Sequence, residues 1–191
     1  FRETFLVVER EGGLFLVDQH TAHERVLYEQ YRDQIEDREP AQYLSVPLTM
    51  ELESSDRDFL LDESSQLEDL GITIEEFGGG TLAVQSVPGY LGRRADDKRM
   101  IYDILEELLE MRDRDVISDP ADDLITIMAC RSAVMRGDRL MPREQNELLD
   151  SLGSLNYPAR CPHGRRIFYN IANETISDWF QRPEDDLCAG G

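Results

Sequence analysis

The sequence predicts an α+β protein with two lobes, and three observations support this prediction. Short apolar runs bounded by glycines indicate β-strands. Longer stretches with an apolar residue every three or four positions indicate amphipathic helices. The middle block, roughly 49–117, combines both patterns as a small β-α-β-β-α unit of its own, and the 191 residues are enough for two small lobes.

The first predicted elements are a β-hairpin and a helix. The runs FLVVE (5–9) and LFLVD (14–18) flank a turn with two glycines, which is typical of a hairpin. Thr21 fits the N-cap position of the next helix, and Glu24, three residues later, completes a capping box. The helix is expected to end before the next proline, and its apolar stripe consists of Val26, Leu27, Tyr31 and Ile35.

The middle block alternates strands and helices. The run VPLTMEL (46–52) predicts a strand, and residues 55–70 predict a helix that stops at Gly71. ITIEEF and TLAVQSVP predict two strands around a run of three glycines. A second helix is predicted from Asp96 to about Met111.

After Pro120 the sequence returns to long apolar periodicity. DDLITIMACRSAVM (122–135) predicts a buried helix, and REQNELLDSL predicts a helix that opens near Pro142. RRIFYNI (165–171) then predicts a strand, and ISDWFQR (176–182) predicts a terminal helix.

The composition is strongly acidic, with a formal net charge of -20 and Lys98 as the single lysine. Such a surface argues against a stand-alone nucleic-acid binder, because phosphate contacts come from cations. Disorder is one explanation for the charge, but 40% hydrophobic residues argue against it. The other explanation is the salt-rich cytoplasm of a halophile, where salt screens the self-repulsion.

Cysteine usage and hydropathy indicate a cytoplasmic protein without a membrane span. Three cysteines do not form a disulfide framework, and no run approaches the roughly 20 apolar residues that a span needs. The chain begins at Phe1 rather than at an initiator methionine, so we expect a fragment of a longer protein.

Ionisable residues concentrate where the predicted hairpin leads into the first helix. His20 and Glu24 are four positions apart and face the same direction on a helix, and Asp18 ends the preceding strand. Downstream, Cys161 and His163 flank a proline that forbids a helix interior. With the cysteine of the apolar helix, these residues supply the N, S and carboxylate O donors that zinc prefers.

Each of these residues also has a simpler interpretation. Glu24 is then only the capping-box partner of Thr21, and Cys130 is a small buried hydrophobe. His20 is then a solvated turn histidine, and His23, which has no place in the metal set, is expected in solvent. One Cys-x-His pair is weak evidence, so the prediction of a metal site rests on the combination.

The segment DQHTAHERVLYE (18–29) resembles the endonuclease motif of the MutL family of mismatch-repair proteins, written DQHA-x2-E-x4-E. The specified positions are occupied by Asp18, Gln19, His20, Glu24 and Glu29. The one departure is Thr21 in place of alanine. Residues 129–131 resemble the ACR segment of the family, and residues 161–165 resemble its CPHGR segment.

This resemblance implies which residues bind metal and which act in catalysis. The implied metal ligands are Asp18, His20, Glu24, Cys130, Cys161 and His163. The implied catalytic residues are Asp18, His20, Glu24 and Glu29, with Asp18 as general base or as ligand of a second ion. The implied ions are Zn2+ at the thiolate-containing set and Mn2+ or Mg2+ for catalysis.

The resemblance also implies an architecture, an activity and partners. A discontinuous dimerisation and endonuclease lobe (1–48 plus 118–191), with a mixed sheet and helices, would enclose an inserted regulatory lobe (49–117). The implied activity is latent, metal-dependent nicking of duplex DNA during mismatch repair. The implied partners are a second copy of the chain, duplex DNA (bound weakly by this acidic region alone), the replication sliding clamp, MutS, and the N-terminal ATPase region of the same protein. The alternative is a non-catalytic homodimerisation module with a structural zinc site.

A second short motif lies at the predicted lobe boundary. QYLSVP (42–47) resembles the Gln-x-Leu/Met/Ile-x-x-Pro segment by which such proteins dock on the sliding clamp. The clamp-binding residues that it implies are Gln42, Leu44 and Pro47. Because strings of this kind are common, a plain linker is the alternative.

Overall fold

The computed structural model describes residues 1–36, 40–89, 98–114, 119–135, 137–156 and 159–181. It confirms the α+β prediction, with helices and two small antiparallel sheets. In chain order the elements are β1 (Phe5–Arg10), β2 (Gly13–Asp18), α1 (Gln19–Glu36), β3 (Gln42–Glu51), α2 (Ser54–Asp62), α3 (Ser64–Asp69), β4 (Ile74–Gly78), β5 (Thr81–Val87), α4 (Lys98–Asp113), α5 (Pro120–Ser132), α6 (Pro142–Ser154), β6 (Phe168–Ala172) and α7 (Asn173–Phe180). No helix in the described ranges is long and apolar enough to cross a membrane.

Two compact units divide the chain. The first unit is discontinuous and contains Phe1–Val26 together with Ala133–Gly191, and the second is Leu27–Ser132. The second unit is larger than the predicted inserted lobe, because the later part of α1 and much of α5 contribute buried residues to its core. The predicted boundary between 117 and 118 lies outside the described residues, so the predicted lobe limits stay predictions.

The first unit contains a three-stranded sheet with the strand order β1-β2-β6. β1 and β2 form the predicted hairpin, and β6 pairs with the other edge of β2. At the turn, Gly13 has φ 146°, and a Cβ there would lie 2.2 Å from the Ile171 carbonyl oxygen, so a larger residue does not fit. Both strand pairs are antiparallel, which corrects the mixed sheet predicted for this lobe. Its strands alternate between a covered and an open face, as is common in antiparallel sheets.

Helices α1 and α6 cover one face of this sheet. The buried core of the unit consists of Leu6, Val17, Ala22, Val26, Leu148, Leu152, Cys161 and Ile167. Cys161 is therefore a core residue as well as a candidate ligand. Close packing around it restricts the directions in which its thiol can point.

The second unit contains a three-stranded antiparallel sheet with the order β3-β5-β4, together with helices α2 to α5. Its buried core includes Tyr28, Tyr31, Leu48, Leu60, Ile72, Val84, Ile104, Leu124 and Met128. The predicted helix at 55–70 divides into α2 and α3 at Glu63. The break is small, because the Glu63 N–H still donates to the Phe59 carbonyl oxygen at 3.0 Å. The predicted start of α4 at Asp96 lies outside the described residues.

Strand β3 begins earlier than predicted and includes the segment QYLSVP (42–47). Its pairing with β5 covers Gln42 and Tyr43, is interrupted by a register shift, and resumes at Leu48. The segment therefore lies in an irregular edge strand rather than in a plain linker, because β3 is at one edge of the sheet.

Candidate metal centre

The candidate site begins where β2 ends and α1 starts. Asp18 caps the helix, since its Oδ1 accepts hydrogen bonds from the backbone N–H groups of His20 (3.0 Å) and Thr21 (3.2 Å). The predicted N-cap at Thr21 is therefore wrong, because an aspartate at the end of the strand already supplies the acceptor. The helix starts at Gln19, which places Gln19, His20 and Glu24 in its first two turns.

Glu24 is the central residue of the site and is only 1% exposed. Its Oε1 lies 3.2 Å from His20 Nε2, one helical turn earlier, and 3.9 Å from His163 Nδ1. A carboxylate removed from water needs such partners, because an isolated buried charge is very costly. The interpretation of Glu24 as only a capping-box partner of Thr21 is therefore wrong.

A tight turn places Cys161 and His163 beside Glu24. The Gly164 N–H donates to the Cys161 carbonyl oxygen (2.8 Å), and the Cys161 N–H donates to the Arg165 carbonyl oxygen (2.9 Å). Gly164 has φ 79°, a left-handed conformation that favours glycine. One ligand atom from each of Glu24, Cys161 and His163 lies within 4.8 Å of the other two.

Burial controls the acidity of the Cys161 thiol. The side chain is 3% exposed, and this burial, followed by the hydrogen bond to Glu24, raises the pKa of the thiol. A thiol in such surroundings is unreactive by itself. A divalent cation reverses that preference, because a thiol that coordinates a cation is deprotonated.

The imidazole of His20 is held in place through Nδ1, the ring nitrogen that does not face Glu24. His20 Nδ1 lies 2.8 Å from the Val134 carbonyl oxygen. Because a carbonyl oxygen only accepts, Nδ1 carries a proton, and Nε2 is the atom that faces Glu24. Metal-binding histidines usually donate their second N–H to a carbonyl or carboxylate in this way. Glu24, Cys161 and His163 gather a carboxylate, a thiol and an imidazole, and the second imidazole, that of His20, contacts Glu24. These are the donor types that zinc prefers.

Other predicted residues have different surroundings. Asp18 uses one oxygen to cap α1. Glu29 and Cys130 belong to the second unit. There Glu29 Oε2 lies 3.9 Å from Arg32 Nη1, and Cys130 is half-buried near the end of α5. The predicted catalytic role of Glu29 and the predicted ligand role of Cys130 stay predictions.

Sequence reasoning missed two residues in the first turns of α1. Gln19 is 2% exposed, and its amide nitrogen donates to the carbonyl oxygens of Glu3 (2.8 Å) and Asp138 (2.9 Å). His23 is half-buried and its Nδ1 accepts the Val134 N–H at 3.0 Å, so its predicted exposure to solvent is wrong. The sequence singled out Gln19 only as a motif position and indicated no role for His23. The reason is that the partners of both side chains are distant backbone atoms.

Sequence comparison connects this chain with proteins of DNA repair. The family described as MutL C terminal dimerisation domain matches residues 1–140. The chain is 33% identical over 186 residues to the DNA mismatch repair protein MutL of Leptospira biflexa, which covers 94% of this chain and 29% of that protein. It is 35% identical over 180 residues to the MutL of Desulforamulus reducens (94% and 28%) and 31% identical over 181 residues to that of Agrobacterium fabrum (94% and 30%). The chain thus spans less than a third of the length of these relatives.

Proposed function

This chain belongs to the family of MutL C terminal dimerisation domains, and from that premise we propose that it is the dimerising, metal-dependent endonuclease region of a DNA mismatch-repair protein. Its reaction would be the nicking of one strand of duplex DNA. The observation that carries the proposal is the buried Glu24 carboxylate, which contacts His20 and adjoins the Cys161–His163 turn. The similarity to MutL proteins from other organisms supports the assignment to mismatch repair.

Four residues of the first unit would hold zinc, namely His20, Glu24, Cys161 and His163. A bound divalent ion lowers the pKa of water and neutralises charge on the scissile phosphate. Val134 orients the His20 ring through its carbonyl oxygen. Asp18 uses Oδ1 for the helix cap, so we assign its Oδ2 to the attacking water as general base, or to a Mn2+ or Mg2+ ion.

The alternative is a homodimerisation module whose zinc is purely structural. One observation favours it, since Asp18 has a structural use as the N-cap of α1 and its presence does not by itself require catalysis. The burial of Cys161 in the core of the first unit is also compatible with a structural site. The two functions differ in whether the chain cleaves DNA.

Metal analysis combined with a nicking assay tests the proposal. We expect the purified chain to retain zinc through dialysis and to convert supercoiled plasmid into the open circular form when Mn2+ is added. Dialysis against a chelator, followed by Mn2+ alone, provides the control for the role of zinc. Zinc without nicking under every condition would support the structural alternative, and a chain with neither would contradict both functions.

The acidic composition bears on how DNA would reach the site. A net charge of -20 repels the phosphate backbone, so this region alone would bind duplex DNA weakly. Delivery of the duplex would depend on the N-terminal ATPase region, MutS and the sliding clamp, which are the partners that the resemblance implies. The predicted salt-rich cytoplasm would screen part of this repulsion.

We place the dimer contact on the open face of the β1-β2-β6 sheet. Val7, Leu16 and Tyr169 form one row across the three strands, and Glu9, Leu14 and Ile171 form the next. Val7 is 55% exposed and Tyr169 is 59% exposed, and neither belongs to a hydrophobic cluster of the described residues. The family's description as a dimerisation domain supports a second copy of the chain as the occupant of this apolar face.

The clamp-binding assignment of QYLSVP receives partial support from the structure. Gln42 is exposed, and β3 is an edge strand of its sheet, so among the described residues its outer edge is open to a partner strand or groove. Leu44, however, packs against the core of the second unit. A substitution at Leu44 would therefore change stability as well as clamp binding.

For this reason we predict the effect of Gln42→Ala alone. It is expected to weaken binding to the sliding clamp about 10-fold, because it removes side-chain hydrogen bonds that contribute about 1.5 kcal/mol. The melting temperature should not change, since the side chain is exposed. Thr49→Ala, exposed in the same strand but outside the motif, is the matched control. Surface plasmon resonance with immobilised clamp measures the affinity, and equal binding by both variants would leave residues 42–47 as an edge strand only.

A further inference from the structure

Two histidines of α1 hold the backbone N–H and the backbone carbonyl of one residue, Val134, in the chain that follows α5. His20 Nδ1 contacts the carbonyl oxygen of Val134 at 2.8 Å, and His23 Nδ1 contacts its N–H at 3.0 Å. Val134 lies beyond the last residue of α5, Ser132. α5 was predicted to continue to 135, but it ends at Ser132, and both polar backbone groups of Val134 bond to histidine side chains.

These contacts assign the protons on the two rings. The Val134 carbonyl oxygen only accepts, so His20 must donate from Nδ1, and its Nε2 faces Glu24. The Val134 N–H only donates, so His23 must accept at Nδ1, and this ring carries no proton on that atom. His20 is therefore the donor and His23 the acceptor at the backbone groups of one residue.

We propose that His23 is a positioning residue of the metal site: it anchors the Val134 N–H, and the carbonyl of the same residue in turn fixes the ring of His20 with Nε2 toward Glu24. The inference rests on the proposed function, because it assumes that His20 and Glu24 bind zinc. His23 stands at an unspecified position of the DQHA-x2-E-x4-E motif, so the motif assigns it no role.

The geometry of α1 makes this arrangement stiff. His20 and His23 are three residues apart and lie on neighbouring positions of one helix face. The two rings therefore engage the N–H and the carbonyl of one residue, on either side of its Cα, from a common rigid support. Without the acceptor on His23, the Val134 N–H would bond to water and the backbone at Val134 could rotate about its φ and ψ bonds. The Val134 carbonyl would then no longer restrict the ring of His20.

Paired substitutions test the inference on the whole chain. His23→Leu removes the acceptor and should weaken zinc binding about 10- to 100-fold, which is the usual effect of losing a group that orients a ligand. His23→Gln keeps an acceptor oxygen and should bind zinc within about 3-fold of the unsubstituted chain. Gln30→Leu, at an exposed position of the same helix, is the matched control. Competition with a chromophoric chelator measures the affinity, and the visible spectrum of the Co2+-substituted chain reports the geometry of the ligands.

The outcomes separate this inference from the proposed function. If the unsubstituted chain binds no zinc, the metal site fails and this inference fails with it. If His23→Leu binds zinc as tightly as the unsubstituted chain, or if His23→Gln is as weak as His23→Leu, only the positioning role is overturned. If His23→Leu does not fold, the unsubstituted chain is labelled with 15N at its three histidines, and the spectrum shows which ring nitrogens carry a proton. A protonated Nδ1 on His23 overturns the inference, and an unprotonated one with a protonated His20 Nδ1 supports it.

Discussion

Replacement of Asp18 by asparagine is expected to reduce plasmid nicking about 10²- to 10⁴-fold, which is the contribution typical of a general base. Zinc content, dimerisation and thermal stability should remain unchanged. The reason is that asparagine keeps the Oδ1 atom that accepts the N–H groups of His20 and Thr21, and asparagine is as good an N-cap as aspartate. Only the charge needed by a base or a hard metal ion is lost. Plasmid nicking, metal analysis and thermal melts measure the three properties on one preparation.

The companion substitution Cys161→Ser should show a different pattern. It removes the thiolate that zinc prefers, so zinc and nicking should be lost together. Added zinc should also cease to stabilise the chain, whereas for the unsubstituted chain zinc at 100 times Kd adds about 2.7 kcal/mol to the free energy of unfolding. Wild-type nicking by Asp18→Asn would refute the catalytic role of Asp18, and wild-type nicking by both variants would show that the cleavage does not come from this site.

Charges introduced on the open face of the first sheet are expected to dissociate the dimer. Val7→Glu combined with Tyr169→Glu should raise the dimer Kd about 10³-fold, because each buried interface residue of this kind contributes about 2 kcal/mol. The fold should persist, since both side chains are exposed in the single chain. Sedimentation velocity over a range of concentrations measures the Kd.

A matched control for this prediction is Phe77→Glu. Phe77 is an exposed aromatic residue of β4 in the second unit, with 71% of its side chain accessible. It receives the same new charge and should leave the dimer unchanged. An intact dimer of the Val7→Glu/Tyr169→Glu chain would show that dimerisation uses another surface.

The sequence predicted those parts of the site that follow from local geometry. The four-residue spacing of His20 and Glu24 determines that they share a helix face, and the structure joins them at 3.2 Å. Cys161 and His163 were predicted to be on a bend because Pro162 excludes a helix interior, and the turn closes at Gly164. Periodicity likewise predicted most elements within a few residues, although it gave one helix where α2 and α3 are found.

The features that sequence could not predict depend on atoms far away in the chain. Thr21 and Asp18 are both good N-cap residues, and only the observed start of α1 decides for Asp18. Gln19 and His23 bind backbone groups of Asp138 and Val134, and a backbone group leaves no signature in the sequence. For the same reason, the early end of α5 could not be predicted from its apolar pattern.

The pairing of β2 with β6 determines when the first unit can be completed during synthesis on the ribosome. The second unit is a continuous stretch of chain, whereas the sheet of the first unit requires β6, which is translated after the whole second unit. Until then the β1-β2 hairpin has an unpaired edge at β2. The Cys161–His163 turn also comes late, because it directly precedes β6. Such long-range pairing is slow, and exposed strand edges promote aggregation. We therefore expect nascent chains stalled before β6 to depend on chaperones that shield the hairpin, and released chains to acquire zinc only afterwards.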